Sequence, residues 1–180
     1  MSHARRTEDS SRALLAVDWA RVEKLEWVQP GLLARNWELT AEGGTVARVQ
    51  SRGLWKQGFD AQTREVSWRI HEPMFGPVSI HRGEESEPIA VARIGWRGGG
   101  RIDRAAGPAL EWRRPGWRSQ SHVLANAERF PMFELRTGIQ LFRAGGSLHL
   151  EDAGRELPDL EALILLGWSL LMIARRHAST

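Results

Sequence analysis

Arginine and tryptophan side chains gather in one part of this 180-residue sequence, between residues 93 and 118. This segment contains seven arginines and two acids, Asp103 and Glu111, so it carries a net charge of +5, whereas the formal charge of the whole chain is +3. Guanidinium groups bind phosphate oxygens in pairs, and indole rings suit the boundary between membrane and water. The pattern predicts recognition of an anionic headgroup, with these candidate residues: Trp96, Arg97, Arg101, Arg113, Arg114, Trp117 and Arg118.

A second interpretation of this segment stays open. Arginines at the outward positions of strands keep a surface solvated without binding anything. Tryptophan is also a core residue, and the spacing predicts that Trp37, Trp68, Trp112 and Trp168 pack inside. Trp55, Trp96 and Trp117 stand beside glycine, proline or basic residues and are the candidates for exposure.

Motifs for catalysis, nucleotide binding or metal binding are missing from the sequence. It contains no G-x-S-x-G, no G-x-x-x-x-G-K-[ST] and no H-E-x-x-H pattern. The glycines at residues 98–100 fit a hairpin turn, and His71, His81, His122 and His149 are scattered singly. We therefore expect no enzyme activity, no cofactor and no metal site.

Composition limits the compartment and the class of protein. The chain has no cysteine, so disulfides and thiolate chemistry are excluded, and the amino end shows no secretory pattern. We expect a cytoplasmic protein, peripheral at the inner membrane surface if the arginine segment binds lipid. Nucleic acid is not an expected partner.

Short segments of alternating polarity fill most of the chain. Val66, Trp68 and Ile70 share one face, whereas Glu65, Ser67 and Arg69 take the other, which is the period of a half-buried strand. Turn residues recur about every eight to twelve positions, as in antiparallel β proteins. We predict ten to twelve strands, more than an open sheet usually holds without curling.

The carboxyl-terminal stretch, residues 157–176, predicts a helix that is apolar on every face. Thirteen uncharged residues separate Glu161 from Arg175, and such a helix must be surrounded by protein or by lipid. The uncharged run spans about 20 Å, against about 30 Å for the hydrocarbon of a bilayer. We therefore predict a mainly β fold, a closed antiparallel barrel of about 12 strands around this central helix, with a membrane anchor as the alternative.

Two regions are predicted. Residues 1–24 form a disordered or short helical arm, and residues 25–176 form a single barrel domain.

Several quoted segments resemble the tubby C-terminal-like superfamily, which includes tubby proteins, phospholipid scramblases and LURP-one-related proteins. They are GLLARNWEL, VARIGWRGGGRI, ALEWRRPGW and the closing PDLEALILLGWSLLMIARR. The resemblance implies a twelve-stranded barrel around a hydrophobic carboxyl-terminal helix, in a branch of small, mainly bacterial proteins. The tubby branch binds phosphoinositides through basic surface residues, but none of those positions can be matched one by one here.

Three functions follow as hypotheses. The first is a non-enzymatic module that binds anionic phospholipid or phosphoinositide headgroups through the arginine segment. The second is a structural or protein-interaction domain, with residues 1–24 as a docking arm. The third is lipid scrambling, which requires the carboxyl-terminal helix to span a bilayer.

Overall fold

Alternating strands close into a barrel in the computed structural model, which describes residues 13–31, 34–53, 58–95, 97–116, 119–140 and 143–178. Within these residues, twelve strands each pair with the next along the chain, and β1 pairs with β12 to close the ring. All pairs are antiparallel, as predicted. The strands are β1 (Leu25–Val28), β2 (Asn36–Ala41), β3 (Gly44–Ser51), β4 (Gly58–Thr63), β5 (Ser67–His71), β6 (Val78–Arg82), β7 (Pro88–Ile94), β8 (Gly100–Arg104), β9 (Gly107–Arg113), β10 (Ser121–Ala125), β11 (Pro131–Gln140) and β12 (Arg143–Leu150).

The helix inside this barrel confirms the central prediction. A one-turn helix, α1 (Asp152–Arg155), leads to α2 (Leu160–His177), in which every residue from 162 to 173 is buried. The helix begins later than predicted because residues 157–159 form a turn, in which the Leu160 N–H donates to the Leu157 carbonyl at 3.2 Å. In the part of the chain that the structure describes, no helix is long and apolar enough to cross a membrane.

Small residues let the helix approach the wall. Ala90 and Ala92 of β7 point inward and are 1% and 0% exposed. A Cβ atom on Gly167 would lie 3.0 Å from Leu135 and 3.3 Å from the Trp112 ring, so a larger residue there would push against both. Trp168 stacks on Trp27 of β1 with ring centroids 4.7 Å apart.

Three of the four tryptophans expected in the core lie there, whereas Trp37 is only partly buried against the core. Trp68, Trp112 and Trp168 are 5%, 2% and 0% exposed. A buried indole N–H usually has an acceptor, but within the described residues neither the Trp168 N–H nor the Trp27 N–H has one. The two rings stack almost parallel. The stack therefore stabilises the core through buried apolar area rather than through hydrogen bonds.

Two acids fix the amino end of α2 to the wall. Asp159 precedes the helix, yet its carboxylate does not cap the helix but pairs with Arg104 of β8 through both oxygens, with Nε–Oδ2 at 2.8 Å. Their side chains are 5% and 2% exposed. Glu161 accepts from Trp68 Nε1 at 3.0 Å and from Thr63 Oγ1 at 2.8 Å. Acids at this end of a helix also complement its dipole, but here both make specific contacts with side chains of the barrel wall.

Residues 13–24 contain no helix and follow the barrel surface. The Leu15 N–H donates to the Thr45 carbonyl at 2.8 Å. Arg155 Nη1 donates to the carbonyls of Trp19 and Val22, each at 2.8 Å, and Val22 is 2% exposed. This part of the predicted arm is therefore attached to its own domain, while residues 1–12 lie outside the described residues.

Because α2 is enclosed, the effect of a charged substitution on stability should depend strongly on its position along the helix. Leu166→Asp places an unpaired charge at a site with 0% exposure, which costs several kcal/mol, so we expect loss of the cooperative unfolding transition. Ala174→Asp introduces the same charge at an exposed position near the end of the same helix and should cost under about 1 kcal/mol. Urea denaturation followed by circular dichroism distinguishes the two; equal, small effects would show that α2 is not enclosed.

The buried ion pair predicts non-additive substitutions. Asp159→Leu leaves Arg104 charged and buried, and Arg104→Met does the same to Asp159; each should lower the unfolding free energy by about 3–5 kcal/mol. The double variant removes both charges and should recover most of that loss. A double-mutant cycle by urea denaturation measures the coupling, and additive losses would contradict a buried pair.

Candidate anion-binding site

Because neighbouring strands run in opposite directions, successive connections lie alternately at one end of the barrel and at the other. One end, the helix-exit rim, consists of the last residues of α2 with Ala178 (174–178) and of the described parts of five connections: 29–31 with 34–35, 52–53, 72–77, 95 with 97–99, and 114–116 with 119–120. The opposite end, the helix-start rim, consists of residues 42–43, 64–66, 83–87, 105–106, 126–130 and 151–159. An ion pair between Arg176 and Glu72 joins α2 to the helix-exit rim.

A tight hairpin between β7 and β8 places the first candidate residue. The Gly95 N–H donates to the Gly99 carbonyl at 2.8 Å, and the Gly98 N–H donates to the Gly95 carbonyl at 2.9 Å. Gly98 has φ +79°, and a Cβ atom on Gly100 would collide with the Arg93 carbonyl. The glycine cluster thus forms the predicted turn, which presents Arg97 at the helix-exit rim.

Four candidate arginines line one outward-facing cleft of about 530 Å³ beside this hairpin: Arg97, Arg101, Arg113 and Arg114. They meet there because β8 pairs with β9, so that Arg101 lies opposite Glu111. Arg113 is the last residue of β9, and Arg114 follows it. Inward residues of the same strands, Ile102 and Leu110, fill the core. Trp96, Trp117 and Arg118 lie outside the described residues.

The arginines differ in their local partners. Arg101 Nε donates to Asp103 at 2.6 Å, and Arg93 Nε donates to the other oxygen of that carboxylate at 3.1 Å. These hydrogen bonds, from Arg101 first and then Arg93, hold the pKa of Asp103 below its ordinary value. Arg114 Nε donates to the Ser119 carbonyl at 2.7 Å.

Arg113 carries the least satisfied group of the cleft. Its Nε atom is buried and has no hydrogen-bond partner among the described residues. Buried polar nitrogens in proteins nearly always have a partner, supplied by protein, water or ligand. Glu111 adds one negative charge to a cleft that four arginines line, so its described lining is positive.

A second pocket, of about 460 Å³, opens at the mouth of the barrel and shares Arg97 and Arg114 with the cleft. Leu171 and Met172 of α2 contribute apolar surface to it. The sequence did not predict this pocket, because its walls come from a helix and from several strands that are distant in the chain.

His122 lies in the wall of this second pocket. Its ring stacks on Trp112 with centroids 5.3 Å apart, and its Nδ1 is buried without a partner among the described residues. Burial, and then the charge of Arg114, lower the pKa of His122 to about 4, so the ring is neutral at pH 7. Within the described residues, no group of three or more histidine and acidic side chains could hold a metal ion.

Charge divides between the two rims. In the described part of the helix-exit rim, six arginines accompany Glu72 as the one acid: Arg35, Arg52, Arg97, Arg114, Arg175 and Arg176. The helix-start rim, all of it described, has ten carboxylates and three arginines. The barrel therefore has a positive end and a negative end, although the formal charge of the chain is only +3.

Exposed apolar residues add a feature to the positive end. Met74 and Phe75 in the connection 72–77 are 74% and 88% exposed. The prolines Pro73 and Pro77 indicate a turn, and the two apolar residues between them are the signal in the sequence for this exposed pair.

Comparison with known proteins adds no assignment: no family model matches the chain, and no curated protein or solved structure gives a significant match.

The low pKa of His122 predicts a loss of stability in mild acid. The unfolded chain takes up a proton near pH 6.5, whereas the folded chain does so near pH 4, so the contribution of His122 is lost as the pH falls between these values and is constant below them. Urea denaturation at pH 7 and pH 4.5 should show a smaller loss for His122→Gln than for the parent. Equal losses would contradict a buried, neutral His122.

Proposed function

We propose that this protein is a non-enzymatic module that binds anionic phospholipid headgroups, phosphoinositides among them, at the helix-exit rim. The observation that carries the proposal is the cleft lined by Arg97, Arg101, Arg113 and Arg114. A headgroup phosphate presents several oxygens to the planar, paired donors of guanidinium groups, and charge-assisted hydrogen bonds of this kind are among the strongest in proteins.

Arg113 supports this choice of ligand. Arg113 is partly buried, so less side-chain freedom is lost on binding than for an arginine extended into water. Arg101 is already paired with Asp103, and we expect it to contribute mainly to the general positive field.

The lining of the cleft supports binding rather than catalysis. Among its described residues, Glu111 is the one carboxylate, and none is a histidine, serine or threonine. General acid–base or nucleophilic catalysis usually needs two such groups within hydrogen-bond distance. The arrangement favours recognition of charge.

The resemblance to the tubby C-terminal-like superfamily is consistent with this proposal and stays a prediction. It suggests phosphoinositides as the first anionic lipids to test and a peripheral location at the inner membrane surface. The protein-interaction alternative used residues 1–24 as a docking arm. Because residues 13–24 are attached to the barrel, we favour the lipid-binding hypothesis.

Vesicle cosedimentation tests the proposal. The parent protein should bind vesicles of anionic phospholipid and not neutral phosphatidylcholine vesicles, and binding should weaken as salt rises, because screening shortens the range of the arginine charges. Binding that is equal for both kinds of vesicle, or none at all, would contradict the proposal.

The site itself is tested by Arg113→Glu with Arg114→Glu. Each basic residue near an anionic surface contributes about 1 kcal/mol, so reversing two should weaken binding at least about 30-fold. The matched control is Arg64→Glu with Arg129→Glu, which changes the net charge equally at the helix-start rim and should retain more binding. Equal losses of binding in the two double variants would show that binding depends on the overall charge of the protein and not on the cleft. Circular dichroism checks that both variants fold.

A further inference from the structure

Two apolar side chains stand out at the positive end of the barrel. Phe75 is 88% and Met74 is 74% exposed, the highest values among the exposed large apolar residues of the described chain. They occupy the turn between β5 and β6, a connection bounded by Pro73 and Pro77. Proline fixes its own backbone angle and restricts the preceding residue, so the turn presents its tip with little conformational freedom.

The surroundings of this turn indicate what it meets. It belongs to the helix-exit rim, where six described arginines accompany one acid. Glu72, that one acid, is paired with Arg176, so the carboxylate beside the apolar tip is already compensated. An apolar tip within a positive rim matches an anionic bilayer surface, which offers phosphates outside and hydrocarbon beneath.

The opposite end offers a comparison within the same molecule. Phe130 is 64% exposed and lies at the helix-start rim, which carries ten carboxylates in total. An anionic surface repels that end. The two phenylalanines therefore lie at rims of opposite charge. This difference in charge determines which end of the barrel turns toward an anionic bilayer.

We propose that the protein docks with the axis of α2 pointing toward the bilayer and with Met74 and Phe75 inserted at the level of the headgroups. This inference rests on the proposed function and adds the orientation and the apolar anchor. In this orientation Arg97 and Arg114 of the arginine cleft belong to the rim that faces the lipid, and the acidic helix-start rim faces away. A second copy of the chain, the other occupant that an apolar tip would suit, is distinguished by the experiment.

Single-cysteine labelling tests the orientation, because the chain has no cysteine of its own. Phe75→Cys and Phe130→Cys each carry a polarity-sensitive fluorophore, and anionic phospholipid vesicles are then added. We expect a blue shift of the emission at position 75 and no shift at position 130. Vesicle binding without a shift at position 75, or with equal shifts at both positions, would overturn the inference but leave the proposed function intact.

Controls separate the remaining outcomes. A blue shift at position 75 without vesicles, increasing with protein concentration, would assign the tip to a second copy and overturn the inference. Failure of the unlabelled parent protein to bind any anionic vesicle would remove both the proposed function and the orientation. Unlabelled Phe75→Ser should weaken vesicle binding about tenfold or more, and Phe130→Ser should leave it unchanged; equal effects would again overturn the anchor.

Discussion

The rest of this structure depends on the burial of one helix, α2, on all of its faces. Residues 162–173 of α2 are all buried, so apolar side chains must surround the helix on every side. A single flat sheet covers one side of a helix, whereas a closed ring of twelve antiparallel strands covers all of them and leaves no unpaired edge. The alternation of inward and outward residues along the strands follows from this requirement, because the inner face is reserved for packing.

The same enclosure moves binding chemistry to the outside and to the ends. Strand register fixes which residues point out, and the pairing of β8 with β9 brings Arg101 and Arg113 to the same cleft. The ends differ because α2 runs through the barrel in one direction: its first turn meets Arg104 and Trp68, and its last turn meets Glu72. Carboxylates gather where the helix starts and arginines where it ends, which also suits the helix dipole.

Local patterns predicted the architecture because each depended on neighbouring residues. The strand period is visible in Trp68 and Ile70, and the uncharged run of α2 indicated enclosure. The sequence also placed Arg97, Arg101, Arg113 and Arg114 together, since only β8 and β9 lie between the first and the last of them. It could not show that Asp159 pairs with Arg104, 55 positions away, or that His122 lines a pocket with Leu171, because closure of the barrel creates those contacts.

The order of the elements has a consequence during synthesis. The strand that closes the ring, β12, and the helix that fills it are the last elements along the described chain. The strand β1 pairs with β12 through Leu25 with Leu148, Glu26 with Ser147 and Trp27 with Gly146. On the ribosome, the first eleven strands therefore emerge with open edges and an uncovered apolar face. Such contacts between distant residues form slowly, and exposed strand edges favour aggregation. Premature termination before α2 would yield a product that lacks the helix around which the strands pack.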